Sequence, residues 1–132
     1  MIISAVATDD GVSFIDRHFG DARFYDLYEI TGDSASFMKR IENHTEDEGD
    51  EEGHGDPVKA RSIAAILTEE GVNAVVSRVY GPNIRRIRKK FLCIVSREGA
   101  IEESLIRLKN MFSELSEEAS KTEKKIIYLQ NR

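Results

Sequence analysis

Three short, almost uninterrupted apolar runs constrain the fold of this chain more than any other feature. They are residues 1–8 (MIISAVAT), 72–77 (VNAVVS) and 91–96 (FLCIVS). A strand whose successive side chains are all apolar is typically buried on both faces, so a sheet built from such strands needs cover on both sides. The three runs therefore predict an α/β domain whose sheet is covered by helices.

Two further segments complete the predicted sheet. Residues 23–30 and 36–42 are rich in aromatic and β-branched side chains, and the turn sequence TGDS (residues 31–34) separates them. This arrangement is typical of an antiparallel hairpin. With the three buried runs it predicts a mixed sheet of about five strands.

Helix signals alternate with the later strands. Asp56 and Pro57 provide an N-cap and a first-turn proline, and Gly71 ends that helix. Gly81 and Pro82 are expected to open a second helix. A third helix of several turns is predicted after Gly99 because apolar residues recur there at spacings of four, three, four and three. These residues are Ile101, Leu105, Leu108, Phe112 and Leu115. Residues 124–130 (KKIIYLQ) fit either a short edge strand or an arm that packs on a second subunit of a homodimer.

Length and composition favour one compact domain over residues 1–132. A chain of 132 residues with 40% hydrophobic side chains suits a single core. Its sole cysteine, Cys93, cannot form an internal disulfide and is expected to be buried. No apolar run reaches the roughly 18 residues that a membrane helix needs, and residue 1 opens directly into a strand pattern. We therefore expect a soluble, cytoplasmic chain.

The net charge of −5 conceals an uneven distribution. Residues 1–56 carry 4 basic and 15 acidic side chains, a net charge of −11, whereas residues 57–97 carry 9 basic and 2 acidic side chains, a net charge of +7. The acidic excess is densest in a predicted mobile loop at residues 43–56, and the basic excess surrounds Gly81. This pattern does not support an overall nucleic-acid footprint, but it does predict a local basic patch.

Several short motifs occur in an order that is typical of one protein family. Asp9-Asp10-Gly11 ends the first strand, and His18-Phe19-Gly20 precedes the second. His54-Gly55, the strand sequence EGVNAVV (residues 70–76) and Gly81-Pro82 follow in turn. Over about residues 1–115 the chain resembles the dinitrogenase iron-molybdenum cofactor biosynthesis family, which includes NifX-like carriers. Residues 116–132 extend beyond the resemblance.

The resemblance implies a ribonuclease-H-like fold and a non-catalytic accessory role in binding or carrying an iron-sulfur or iron-molybdenum cluster. A protein that donates or receives the cluster is the implied partner. On the family pattern His18 is the candidate metal ligand, Phe19 and Gly20 shape its loop, and His54 is a second candidate ligand. Where many members carry paired glycines, this chain has Ser77-Arg78-Val79-Tyr80, which would narrow a cradle for the cluster.

The basic residues near Gly81 extend this candidate site. Gly81 opens the predicted second helix, whose backbone N–H groups could face an anion, and Arg78 and Arg85 are the nearest cations to the presumed strand end. An iron-sulfur cluster with organic acid ligands is anionic, so these cations suit it. The alternative is a solvated helix face whose charge offsets the acidic loop.

Other interpretations stay open from the sequence. His18 could instead hydrogen-bond Asp16 or Asp21 and cap the following strand. A nuclease-like hydrolase could place Asp9 and Asp10 at a metal site, although no further acids follow the other buried strands. A third interpretation is an interaction or regulatory module that docks a partner through its acidic loop and basic helix, without any cofactor.

Overall fold

The computed structural model of the chain describes residues 1–43 and 57–129; of residues 57–62 it describes the backbone alone. Within these ranges the chain forms one six-stranded sheet with the order β3-β2-β1-β4-β5-β6. The strands are β1 (Ile2–Thr8), β2 (Phe24–Ile30), β3 (Ala35–Glu42), β4 (Ala74–Ser77), β5 (Leu92–Val95) and β6 (Ile127–Tyr128). Strand β2 is antiparallel to both neighbours, while β1, β4, β5 and β6 are mutually parallel. The predicted α/β class with a mixed sheet is confirmed.

Four helices accompany the sheet in the described part of the chain. They are α1 (Pro57–Glu69), α2 (Ile84–Ile87), α3 (Ile101–Asn110) and α4 (Phe112–Ala119). Gly71 follows α1 with a φ of 82°, a left-handed conformation that ends the helix at little cost only for glycine. The predicted N-cap of α1, Asp56, lies outside the described residues.

The apolar side chains form one cluster on each face of the sheet. On one face α1 packs Ile63, Ala64 and Leu67 with the inward side chains of β1 and β2. On the other face α3 and α4 pack Ile101, Leu108 and Leu115 against β1, β4 and β5. Successive residues of β1 point to opposite clusters, which explains why this strand is apolar at almost every position.

Two predicted helices differ from the structure. The helix expected after Gly81 is only the single turn α2, because the five cations that crowd residues 85–90 repel one another and only Ile84 and Ile87 give it an apolar side. The long helix expected after Gly99 is interrupted at Met111, whose φ of −106° and ψ of 16° separate α3 from α4. Asn110, a weak helix former, immediately precedes the break.

The segment after α4 joins the sheet of its own chain. Strand β6 pairs in parallel with β5 through Ile127, and the Leu129 N–H donates to the Val95 carbonyl oxygen at 2.9 Å. Leu129 is 2% exposed. Of the two interpretations of residues 124–130, the structure bears out the edge strand, and β6 accounts for the sixth strand where about five were predicted.

Candidate functional site

The loop that carries His18-Phe19-Gly20 is anchored by its phenylalanine. Phe19 is 1% exposed, and its ring stacks on Tyr80 with centroids 5.5 Å apart and an interplanar angle of 26°. Its ring also contacts Tyr25 at 5.0 Å, and the Tyr25 hydroxyl donates to the Phe19 carbonyl oxygen at 2.8 Å. Phe19 is therefore a core residue that anchors the loop to the rest of the core.

Hydrogen bonds hold the remaining peptide groups of this loop. The Asn43 side-chain amide donates to the carbonyl oxygens of Gly20 at 3.0 Å and Ala22 at 2.7 Å. The Asp21 N–H donates to the His18 carbonyl oxygen at 2.8 Å, which closes a 3-10 turn at Phe19–Asp21. The buried Asn43 was expected to begin a mobile loop, and that prediction is wrong for this residue because its amide supports two carbonyl groups.

His18 meets the segment that follows β4. Its backbone forms an isolated parallel bridge with Val79, and its partly exposed imidazole lies on Gly81. A Cβ atom on Gly81 would lie 2.6 Å from Cγ of the His18 ring, and the φ of Gly81 is 76°. Both the contact and the left-handed backbone require glycine there. The structure thus brings together two predicted site residues, His18 and Gly81.

Arg78 lies beside this pair and is held by Asp16. Its Nη1 atom is 2.7 Å from Asp16 Oδ1, and the Asp16 side chain is 82% exposed. Arg17 makes a similar ion pair with Asp9, through its Nη2 at 2.8 Å from Oδ2. Both arginines are therefore paired with carboxylates, and the exposure of Asp16 makes the Arg78 pair weak in water.

The start of the second strand is held by Asp9. Its Oδ1 accepts the Arg23 N–H at 2.9 Å, one residue before β2 begins. Asp10 closes the preceding turn, accepting the N–H groups of Ser13 at 2.9 Å and Val12 at 2.8 Å, and these bonds lower the pKa of Asp10. The two aspartates thus serve the loop architecture, and residues 1–43 and 57–129 contain no group of three or more metal-binding side chains.

Tyr80, which stands where many family members carry a glycine in the sequence, is a core residue. It is 5% exposed, and its hydroxyl is 2.9 Å from the Val75 carbonyl oxygen and 2.7 Å from that of Ile94. Burial raises the pKa of Tyr80 well above its ordinary value, so the phenol stays neutral. Tyr80 supports Phe19 through the ring contact, and the narrowing of a cluster cradle at residues 77–80 stays a prediction.

The other predicted site residues are placed elsewhere. Arg85 lines a separate pocket with Arg88, Lys89 and residues 122–124. His54, together with His44 and the acidic loop after Asn43, lies outside the described residues. Cys93 is buried as predicted, and desolvation raises its pKa to about 12, so its thiol is a poor metal ligand. The roles assigned to His18, Phe19, Gly20, Arg78, Gly81 and Arg85 stay predictions.

The supporting residues of the loop were not identified from the sequence. Asn43, Tyr25 and Tyr80 carry the hydrogen bonds and ring contacts that fix the His18 loop. The aromatic character of residues 23–30 was a signal for Tyr25. Nothing in the local sequence marks Asn43, because its role depends on tertiary contacts with residues about 20 positions away.

A comparison with known protein families identifies the family of this chain. A model of the family described as dinitrogenase iron-molybdenum cofactor matches residues 1–111. The chain belongs to the dinitrogenase iron-molybdenum cofactor family. The match includes His18, Gly81 and the whole sheet apart from β6, so the site described above lies within the family's region. No curated protein matches the chain.

Solved structures share the fold of this family member. A crystal structure at 1.70 Å from Methanocaldococcus jannaschii, of a protein provisionally named a dinitrogenase, superposes with a TM-score of 0.51 at 17% identity, covering 86% of this chain and 88% of the other. An NMR structure of a protein with the same provisional name, from Methanococcus jannaschii, gives 0.51 at 16% identity, covering 86% and 87%. In the described residues of this family member, no helix is long and apolar enough to cross a membrane.

Proposed function

We propose that this protein is a non-catalytic accessory protein that carries an iron-sulfur or iron-molybdenum cluster as cargo in the cytoplasm, receiving it from or passing it to a partner protein. Family membership supports the link to the cofactor. The single observation that carries the site assignment is the position of the His18 imidazole on Gly81, above a loop whose peptide groups are held in place.

The chemistry of His18 suits a cargo ligand. A neutral imidazole binds iron and other transition metals, and a ligand that can release its metal must stay accessible. His18 is partly exposed, whereas its neighbour Phe19 is fully buried. The loop is already ordered, so little conformational entropy would be lost when the cluster binds.

Arg78 gives the site a cation for an anionic cluster. Its ion pair with Asp16 is exposed, and such a pair contributes about 0–1 kcal/mol. Exchange of Asp16 for a cluster oxygen or sulfur would therefore cost little. Gly81 leaves room for the His18 ring, which a Cβ there would contact, whereas a Cβ on Gly20 would meet Ile63 of the core at 3.6 Å.

Two finer assignments belong to the same proposal. A ribonuclease-H-like fold is supported by the sheet order and by its single reversed strand, β2. A non-catalytic role is supported by the use of Asp9 and Asp10 in the loop and turn, which leaves neither carboxylate without a hydrogen-bond donor.

Anaerobic loading tests the proposal. Protein mixed with a chemically prepared iron-sulfur cluster and then desalted should retain visible absorption and iron. We expect His18→Ala to retain at least about tenfold less iron, the effect of losing roughly 1.4 kcal/mol of binding free energy. His44→Ala is the matched control and should retain as much iron as the unchanged protein.

One result would contradict the carrier function, and another would contradict only the assignment of His18. If the unchanged protein retained no iron, the carrier function itself would be wrong. If His18→Ala and His44→Ala retained equal iron, the cargo would be bound at another place, and the assignment of His18 would be wrong.

A further inference from the structure

A strongly basic pocket lies away from the His18 loop. It has a volume of about 360 Å³ and is lined by Arg85, Arg88, Lys89, Thr122, Glu123 and Lys124. One wall comes from α2 and the residues just after it, and the other comes from the segment between α4 and β6. The family match ends at residue 111, so the second wall lies beyond the matched region. The pocket therefore forms between the family-matched region and the segment that follows it.

The two walls are joined by specific contacts. Arg88 donates from Nη2 to the Lys124 carbonyl oxygen at 3.0 Å. Glu118 accepts the Lys125 N–H at 2.8 Å through Oε2 and the Lys121 ammonium at 3.0 Å through Oε1. The Arg88 bond joins the two walls, and the Glu118 bonds hold the 122–124 segment on the end of α4, so both walls of the pocket are fixed by the fold.

The charge of the pocket is unbalanced. Four cations line it, Arg85, Arg88, Lys89 and Lys124, against the single carboxylate of Glu123. Across residues 1–43 and 57–129, neither Arg85 nor Lys89 forms an ion pair. Like charges that line one pocket repel each other, and an anion bound between them would offset this repulsion.

We propose that this pocket binds a small, multiply charged phosphate compound of the polyphosphate type. A guanidinium group presents a planar fork that matches phosphate oxygens, and two arginines with two lysines suit several phosphate charges at once. The volume falls within the usual range for small-ligand pockets. None of the six lining residues is aromatic, so the pocket offers no surface on which a nucleobase could stack.

Neighbouring cations provide a matched control. Arg86 and Lys90 belong to the same basic cluster and carry the same charges as Arg85 and Lys89, but they do not line the pocket. Among these four cations, a pocket ligand should depend on Arg85 and Lys89 and not on Arg86 or Lys90. A diffuse attraction for nucleic acid or an acidic protein surface should depend on all four equally.

Isothermal titration calorimetry of the full-length protein with inorganic triphosphate tests the proposal. We expect Arg85→Gln and Lys89→Gln each to weaken binding about tenfold, the scale of one charge-assisted contact. The control variants Arg86→Gln and Lys90→Gln should stay within about twofold of the unchanged protein. Glu123→Gln should strengthen binding, since it removes the one repelling carboxylate.

Two further measurements distinguish triphosphate binding from nucleotide binding, and the basic pocket from the His18 site. ATP should bind about as tightly as triphosphate because no residue of the pocket engages the base. His18→Ala should leave triphosphate affinity unchanged, so this inference does not depend on the carrier function. Equal losses in all four cation variants, a dissociation constant above about 1 mM for the unchanged protein, or a large preference for ATP would each overturn the proposal.

Discussion

The imidazole of His18 lies on the Cα atom of Gly81, and this contact joins the loop after β1 to the loop after β4. The contact exists only because residue 81 has no side chain, since a Cβ there would lie within 2.7 Å of Cε1 of the ring. The position of the imidazole therefore requires glycine at residue 81. Any cargo bound through His18 depends indirectly on residue 81.

Gly81→Ala is expected to lower the free energy of unfolding by about 1–3 kcal/mol. The φ of 76° disfavours any residue with a Cβ, and that Cβ would displace the His18 ring. Urea denaturation measures the change, and cluster retention should fall with it because the ligand moves.

Gly99→Ala is the matched control for this substitution. No heavy atom lies within 4 Å of a Cβ at Gly99, so its stability should change by less than about 0.5 kcal/mol. The double variant His18→Ala/Gly81→Ala should recover the part of the loss that comes from the ring contact. Equal effects of the two glycine substitutions would contradict the argument.

Phe19→Ala is expected to destabilise the fold by about 3–5 kcal/mol. The ring is 1% exposed and contacts both Tyr25 and Tyr80, so its removal leaves a cavity beneath the His18 loop. Phe37→Ala, at a ring that is 56% exposed, should cost less than about 1 kcal/mol. Thermal melts of both variants test the difference, and similar melting temperatures would show that Phe19 does not anchor the loop.

The parts of the fold with strong local signals were predictable from the sequence. Successive residues of β1 are buried on opposite faces of the sheet, so this strand is apolar at almost every position. The TGDS turn indicates the β2–β3 hairpin. The lengths of α2 and α3 were not predictable in the same way. Apolar spacing continues through Met111 even though the helix breaks there, and Leu115 of α4 still packs in the same cluster as Leu108 of α3.

The candidate site was likewise predictable from the sequence only in part. His18 and Gly81 were both proposed, but their contact arises from the return of the chain through β4, which local patterns do not specify. Arg85 was included in the candidate site because it is close in sequence to the presumed end of the strand that precedes Gly81. The single-turn α2 instead directs Arg85 to the pocket with Lys124, a residue from the far end of the chain.

Arg40→Ala is expected to destabilise the protein by about 2–3 kcal/mol. The Asp26 side chain is 2% exposed and is bound by Arg40 through Nε at 2.8 Å and Nη2 at 3.2 Å. Removing the arginine leaves a buried carboxylate without its cation, and the partial exposure of Arg40 moderates the usual penalty. Arg17→Ala breaks an ion pair with Asp9 in which the two side chains are 50% and 32% exposed, and it should cost less than about 1 kcal/mol in the same urea titration. Equal costs would show that burial of Asp26 has no energetic consequence.

Glu118 fastens the C-terminal segment, and its contribution should depend on pH. The N–H of Lys125 and then the ammonium of Lys121 lower the pKa of Glu118 below its ordinary value of 4.5. A carboxyl group with a lowered pKa stabilises the fold fully above its unfolded pKa and loses that stabilisation as the pH falls through the folded value. The stabilisation that Glu118 contributes is therefore complete at neutral pH and decreases below about pH 4.5.

Glu118→Gln keeps a neutral acceptor at this place but removes the titrating charge. We expect the variant to be less stable than the unchanged protein above about pH 5, with the difference shrinking toward pH 3, as followed by urea denaturation across that range. Glu114→Gln, at an exposed position of the same helix, should show no such trend. Since Glu118 also positions the segment that carries Lys124, the variant should bind triphosphate more weakly at pH 7. A stability difference that stayed constant from pH 7 to pH 3 would mean that the charge of Glu118 does not hold the segment.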